Sequence, residues 1–180
     1  MTAGPSRSGG GPRLGAQEIV ILGLLGAVLF VGKMVLAGLA NIEPVSLLVM
    51  VYAVVLGRKA LFPVYIYVAL ECIVWGINLW TLSYLYVWPL LAAAAWLLRR
   101  MESPVGWAVL SGTFGACFGA LCALMYLPVE GWQFALSWWV SGIPFDLLHC
   151  GGNFVMALAL FRPCEKVLSR LIQTVPSLRG

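Results

Sequence analysis

Hydrophobic positions run along this chain in six long blocks, interrupted only by charges and turn-forming residues: Gln17 to Ala40, Pro44 to Leu56, Ala60 to Leu79, Leu82 to Leu98, Pro104 to Leu127 and Phe134 to Phe161. None of them alternates apolar and polar residues as a half-buried strand does, and a membrane barrel needs more and shorter segments. Helices are therefore expected throughout. A helix needs roughly 20 apolar residues to cross a bilayer core. The second block is short for this, so it borrows residues from Asn41 onward or lies where the bilayer thins. The pattern predicts an all-α integral membrane protein with six transmembrane helices in one bundle. Residues 1 to 16, rich in Gly, Ser and Pro, read as a disordered tail. Residues 17 to 172 form the bundle and 173 to 180 a short C-terminal tail. The apolar stretch after Arg13 outruns the 7–15 residues of a signal peptide and reads as a retained first span.

Composition sharpens this picture. With 62% hydrophobic residues, 10% charged residues and a mean hydropathy of +0.96, the chain has too few ionisable side chains to cover a water-facing surface. That excludes a soluble catalytic module, an ATPase domain and a nucleic-acid-binding domain. Ten of the eleven positive charges fall in the two tails and in the turns after the second, fourth and sixth blocks: Arg7, Arg13, Arg58, Lys59, Arg99, Arg100, Arg162, Lys166, Arg170 and Arg179. The intervening turns carry none, but hold Glu43 and Glu130. Cytoplasmic loops of membrane proteins carry the excess of Lys and Arg, so both termini are expected in the cytoplasm. These charges hold topology and call for no nucleic-acid partner.

The remaining polar residues need another explanation. Lys33 lies towards the external end of the first span, where it either snorkels to the headgroups or serves as a counter-ion or ligand group. Glu71 falls near the middle of the third span, where a carboxylate must be protonated or paired; Lys33, His149 or a proton are the candidates. Asp146, His149 and Asn153, spaced by three and four residues, share one helical face. Pro144 before them should kink the helix, and Gly151 and Gly152 after them permit close helix approach. This row is either a hydrogen-bonded seam, with a neutral histidine donating to Asp146, or a line of contacts to substrate or protons.

An enzyme can be sketched from Asp146, His149 and Glu71 as acid and base, yet there is no GxSxG elbow, HExxH helix, paired aspartates or phosphate loop. No enzyme activity is expected. Cys72, Cys117, Cys122, Cys150 and Cys164 form no CxxC pair and suggest neither a disulfide framework nor a metal site.

Aromatic residues are distributed unevenly. Trp75, Trp80, Tyr84, Tyr86 and Trp88 surround one external turn, and Tyr126, Trp132, Trp138 and Trp139 the other, with fewer at the cytoplasmic turns. An interfacial belt is enriched at both faces, so the asymmetry points to an aromatic-lined external pocket with Asn41, Glu43, Asn78 and Gln133 as hydrogen-bonding groups. In the fifth block Gly112, Ala116 and Ala120 repeat at four residues, as do Gly115, Gly119 and Ala123, two ridges suited to close helix packing. Gly23 and Ala27 form a shorter version in the first block.

The size, the six blocks, and the stretches NIEPVSLLVMVYAVVLG (41–57), LYVWPLLA (85–92) and SGIPFDLLHCGGNFVMALALF (141–161) resemble the substrate-binding S component of an energy-coupling factor (ECF) transporter, over residues 17 to about 172. The resemblance implies a subunit in the plasma membrane of a prokaryote that captures a vitamin-like small molecule near the external face. A transmembrane coupling subunit and two cytoplasmic ATPases then drive its toppling and substrate release, so any ATP is used by the partners and no cofactor is expected on this chain. That family docks its coupling subunit through Ala-x-x-x-Ala on the first helix, for which Gly23 to Ala27 is the nearest match. The expected substrate site comprises Lys33, Asn41, Glu43, Asn78, Trp80, Tyr84, Trp88, Trp132, Trp139 and His149, with Glu71, Asp146 and Asn153 as intramembrane polar residues. No motif diagnostic of biotin, riboflavin, thiamine or folate is present. The tryptophans suit a bulky or planar ligand such as a cobalamin or a modified base. The alternatives are a structural scaffold protein of the MreD type and an intramembrane enzyme.

Overall fold

The computed structural model describes residues 14–38 and 42–178. The expected substrate residue Asn41, most of the N-terminal tail with Arg7 and Arg13, and Arg179 lie outside them. The described chain is all helical: α1 (Ala16–Val35), α2 (Val45–Leu56), α3 (Leu61–Trp75), α4 (Leu79–Leu97), α5 (Pro104–Ala123) and α6 (Leu127–Leu171), with one 3-10 turn, Gly57–Ala60, between α2 and α3 and two more, Ile172–Thr174 and Pro176–Leu178, after α6. Five segments are long and apolar enough to cross a membrane, with α2 and α3 taken together as Val45–Trp75. That is consistent with a multi-pass membrane protein.

Each helix boundary has a local cause. Glu18 caps α1 by accepting the Gly15 backbone N–H at 2.7 Å. Gly57, at φ 58°, takes a left-handed conformation available at little cost only to glycine and separates α2 from α3. Gly76, at φ 80°, ends α3 four residues before the expected Leu79. The Asn78 side chain then caps α4 by accepting from the Thr81 N–H at 3.1 Å. Ser103 caps α5, with Pro104 in the first turn. Within α6 the non-helical residue is Gly131, at φ 82°; Pro144, where a kink was expected, keeps helical dihedrals. Beyond Gly131 the helix continues through Pro163 to Leu171, on the order of 60 Å at 1.5 Å per residue and about twice a hydrocarbon core.

Pairings between helices fix their directions. Glu18 meets Lys59 at 2.8 Å and Lys33 meets Glu71 at 2.6 Å, so α1 and α3 run parallel, with α2 returning between their ends. Tyr67 stacks on Tyr84 and Arg58 lies over Trp96, which sets α4 antiparallel to α3. Tyr86 donates to the Leu121 carbonyl at 2.6 Å, and Asn153 donates to the Ser111 carbonyl at 3.4 Å while Trp107 stacks on Phe161. The six helices thus alternate in direction. Among the described residues every Arg and Lys except Lys33 gathers at one end: Lys59 reaches the Ser177 carbonyl at 2.5 Å and Arg162 the Glu102 carbonyl at 2.6 Å. Both ends of the described chain therefore sit at this basic end.

The seam between α5 and α6 is built on glycine. A methyl group on Gly115 would come within 2.7 Å of the His149 backbone, and one on Gly119 within 2.5 Å of the Asp146 carboxylate. The packing ridge is Gly112, Gly115 and Gly119, whereas Ala116 of the other expected ridge is exposed. Gly151, expected to admit a neighbouring helix, faces open space.

Candidate binding site

At the end opposite the basic cluster, α1, α3, α4 and the segment before α2 enclose a cavity of about 550 Å³. Its lining includes Lys33, Glu43, Glu71, Trp75, Asn78 and Trp80. Lys33 enters from the last turn of α1 and Glu71 from α3, 1% exposed. Glu43 arrives on the segment leading into α2, whose Pro44 packs against Gly32 so tightly that a methyl group there would lie 2.8 Å from its ring. Asn78 and Trp80 come from the capped start of α4, held by the Gly76 turn.

Lys33 Nζ pairs with Glu71 Oε2 and lies 5.4 Å from the centre of the Tyr84 ring, within cation–π range. The ion pair identifies Lys33, among the partners considered for Glu71, as the one it takes. The buried Tyr67 hydroxyl also faces the Glu71 carboxylate. Glu43 faces His149, whose Nε2 lies 3.9 Å from Oε1, too far for a hydrogen bond. Burial, with Glu71 adding to it and Lys33 opposing, pushes the Glu43 carboxyl up to about 7.

Beneath the cavity lies a continuous aromatic floor. Trp80 Nε1 donates to the Tyr84 hydroxyl at 2.8 Å, and Tyr84 packs on Tyr67, Trp88 and Phe118 at centroid distances of 5.5 to 6.2 Å. His149 meets Phe118 edge-on at 4.8 Å.

The structure thus brings Lys33, Glu43, Asn78 and Trp80 to the lining, Tyr84 and Trp88 to the floor, and His149 to the flank behind Glu43. Trp132 and Trp139 are not brought in. They line a separate groove with Ala120, Ala123, Leu127 and Leu136, and Trp132 is 66% exposed, because Trp132, Leu136 and Trp139 share one face of α6 while the neighbouring Trp138 is the one that meets Trp80, at 5.6 Å. Gln133 is likewise exposed. The polar row on α6 is buried but does not bond within itself: Asp146 accepts the Gly119 backbone N–H at 2.9 Å, and Asn153 donates to Ser46 at 3.0 Å. The expected bond from His149 to Asp146 is absent, since helical spacing aligns the two residues along α6 while each faces a different neighbour.

Gly23 meets nothing that an added methyl group would touch, and Ala27 is half-buried on the same outward side. The glycines of α1 that pack inward are Gly26, against Ile66 and Pro63, and Gly32, against Pro44. Thr81, Trp75, Tyr67 and Phe118 were not singled out as site residues. Only the aromatic clustering around residues 75 to 88 signalled the first two, and nothing local signals Phe118, which faces the floor from a glycine-rich helix. The described residues contain no cluster of His, Cys, Asp and Glu able to hold a metal. No family model, curated protein or solved structure matches the chain.

Proposed function

We propose that the chain is the substrate-binding S component of an ECF-type uptake transporter, crossing a prokaryotic plasma membrane six times with both termini in the cytoplasm. The observation that carries this reading is the cavity: a polar, charged recess with an aromatic floor, at the end of the bundle away from the basic cluster. Under the positive-inside rule that end faces outward. The sixth crossing comes from the reversal at Gly57, which makes α2 and α3 two passes. The outward face of α1 supports a partner, because Val20, Leu24, Val28, Val31 and Val35 are all about half exposed or more around Gly23. A coupling subunit would dock there, with two ATPases supplying the energy, since the sequence holds no phosphate loop of its own.

Cavities of about 300–1,000 Å³ hold drug-sized ligands. A volume of about 550 Å³ therefore suits a compact vitamin or modified base better than a whole cobalamin. The test is calorimetry on the purified protein in detergent against vitamins, corrinoids and nucleobases. Saturable one-to-one binding of a compact member, weakened by Trp80→Ala, is the expected result. Saturation by none of them would overturn the reading.

A further inference from the structure

Once Glu43 is ionised, the charges of the cavity do not cancel. Two carboxylates, Glu43 and Glu71, line it with one ammonium, Lys33, and that ammonium is already matched to Glu71 at 2.6 Å. Glu71 is 1% exposed, and the Tyr67 hydroxyl also faces it. The side-chain donors that α4 brings to the cavity are engaged elsewhere: Trp80 with Tyr84, Thr81 with the Gly76 carbonyl at 2.9 Å, and the Asn78 amide with the Trp75 and Gly76 carbonyls. What the recess offers a ligand is therefore acceptor oxygen, negative charge and the faces of Trp75 and Trp80.

We infer that the ligand is a compact planar heterocycle carrying positive charge and N–H donors, bound with its cationic edge towards Glu43 and Glu71 and its ring against the tryptophans. This rests on the substrate-binding reading above and narrows it. An anionic ligand would have to draw Lys33 away from Glu71, leaving a carboxylate buried without a counter-ion. A cation completes the charge balance instead, and aromatic faces add cation–π attraction. The groups that face Glu43 are Lys33 from α1, Tyr67 and Glu71 from α3, Tyr84 from α4 and His149 from α6. Among these, Lys33 is the sole fixed cation and it is spent on Glu71.

The experiment is calorimetry and thermal shift on the full chain in detergent with probes of opposite charge: thiamine, pyridoxamine and 1-methylnicotinamide against biotin, pantothenate and nicotinate, with nicotinamide as the neutral member. The cationic probes should bind at least about tenfold more tightly than the anionic ones. Glu43→Gln should cost the cations about tenfold, the equivalent of one lost charge interaction, and cost the neutral nicotinamide less. Should that variant not fold, the wild-type chain serves: with Glu43 at about 7, binding of 1-methylnicotinamide should tighten about tenfold from pH 6 to pH 8. Tightest binding by an anion, or cation binding indifferent both to Glu43→Gln and to pH, overturns this inference while leaving the substrate-binding reading intact. Binding of no probe of any charge, with no ligand in the wider screen, removes both.

Discussion

Glu71 shows how one buried charge constrains its surroundings. It is 1% exposed against Lys33 at 21%, so Lys33→Met strands a carboxylate in the bundle. Breaking a buried pair from one side costs about 3–5 kcal/mol, whereas replacing both partners by apolar residues is often neutral. The expected outcome is a large fall in thermal stability in detergent for Lys33→Met, with most of it regained in Lys33→Met/Glu71→Met. Equal losses in both proteins would mean that the pair is not the cause. Glu43 gives a pH signature of the opposite sign to an ordinary salt-bridged carboxylate. Its folded value is raised from 4.5 to about 7, so the folded state holds a proton that the unfolded state has released. Without ligand, stability should be greatest below about pH 4.5 and fall by on the order of 3 kcal/mol as pH rises to about 7 and beyond. Glu43→Gln should flatten that slope in thermal unfolding followed between pH 5 and 8.

Among the helices, glycines with the same chemistry play opposite parts. Gly115 lies against the His149 backbone, and neither helix can yield without lifting the seam. Gly115→Ala should therefore destabilise by about 1–3 kcal/mol, as overpacking does, and loosen Asp146 from the Gly119 N–H. Gly23 faces open space; Gly23→Leu should leave the melting temperature unchanged but abolish co-purification of a coupling subunit in mild detergent. Periodicity made these elements legible in outline. Six apolar blocks became six helices, because length and hydrophobicity are local properties. It failed where the deciding atom lies on another helix. The spacing of Asp146 and His149 is right for a bond between them, yet Asp146 turns to the Gly119 N–H and His149 to the ring of Phe118. Of two equally regular small-residue ridges on α5, Gly115 and Gly119 of one pack against α6, while the other contributes Gly112 and leaves Ala116 exposed. Trp132 and Trp139 belonged by composition to the aromatic cluster, but they lie on a different face of α6 from Trp138, which packs on Trp80.

At the level of the whole molecule, charge and cavity occupy opposite ends. Arg58, Arg99, Arg162 and Lys166 mark one end and the Glu43–Glu71 recess the other. In intact cells, with the native cysteines replaced, a membrane-impermeant maleimide should label Asn78→Cys and Trp132→Cys but not Arg100→Cys or Lys166→Cys. Labelling of both sets, or of the basic set alone, would reverse or abolish the proposed orientation. This polarity was legible from the sequence because it needs only the order of charges along the chain. The pairing of Lys33 with Glu71 was one of three options, since it depends on α1 and α3 running parallel across an intervening helix.

That pairing also bears on how the protein is made. Lys33 and Glu71 are separated in the chain by all of α2, so a ribosome delivers the ammonium well before its carboxylate exists. Both charges lie within about one turn of the outer ends of their helices, where a long side chain can snorkel to the headgroups. The pair therefore closes only once α3 has been made and lies beside α1. A ribosome stalled before residue 71 would leave Lys33 at that end without the carboxylate that meets it at 2.6 Å.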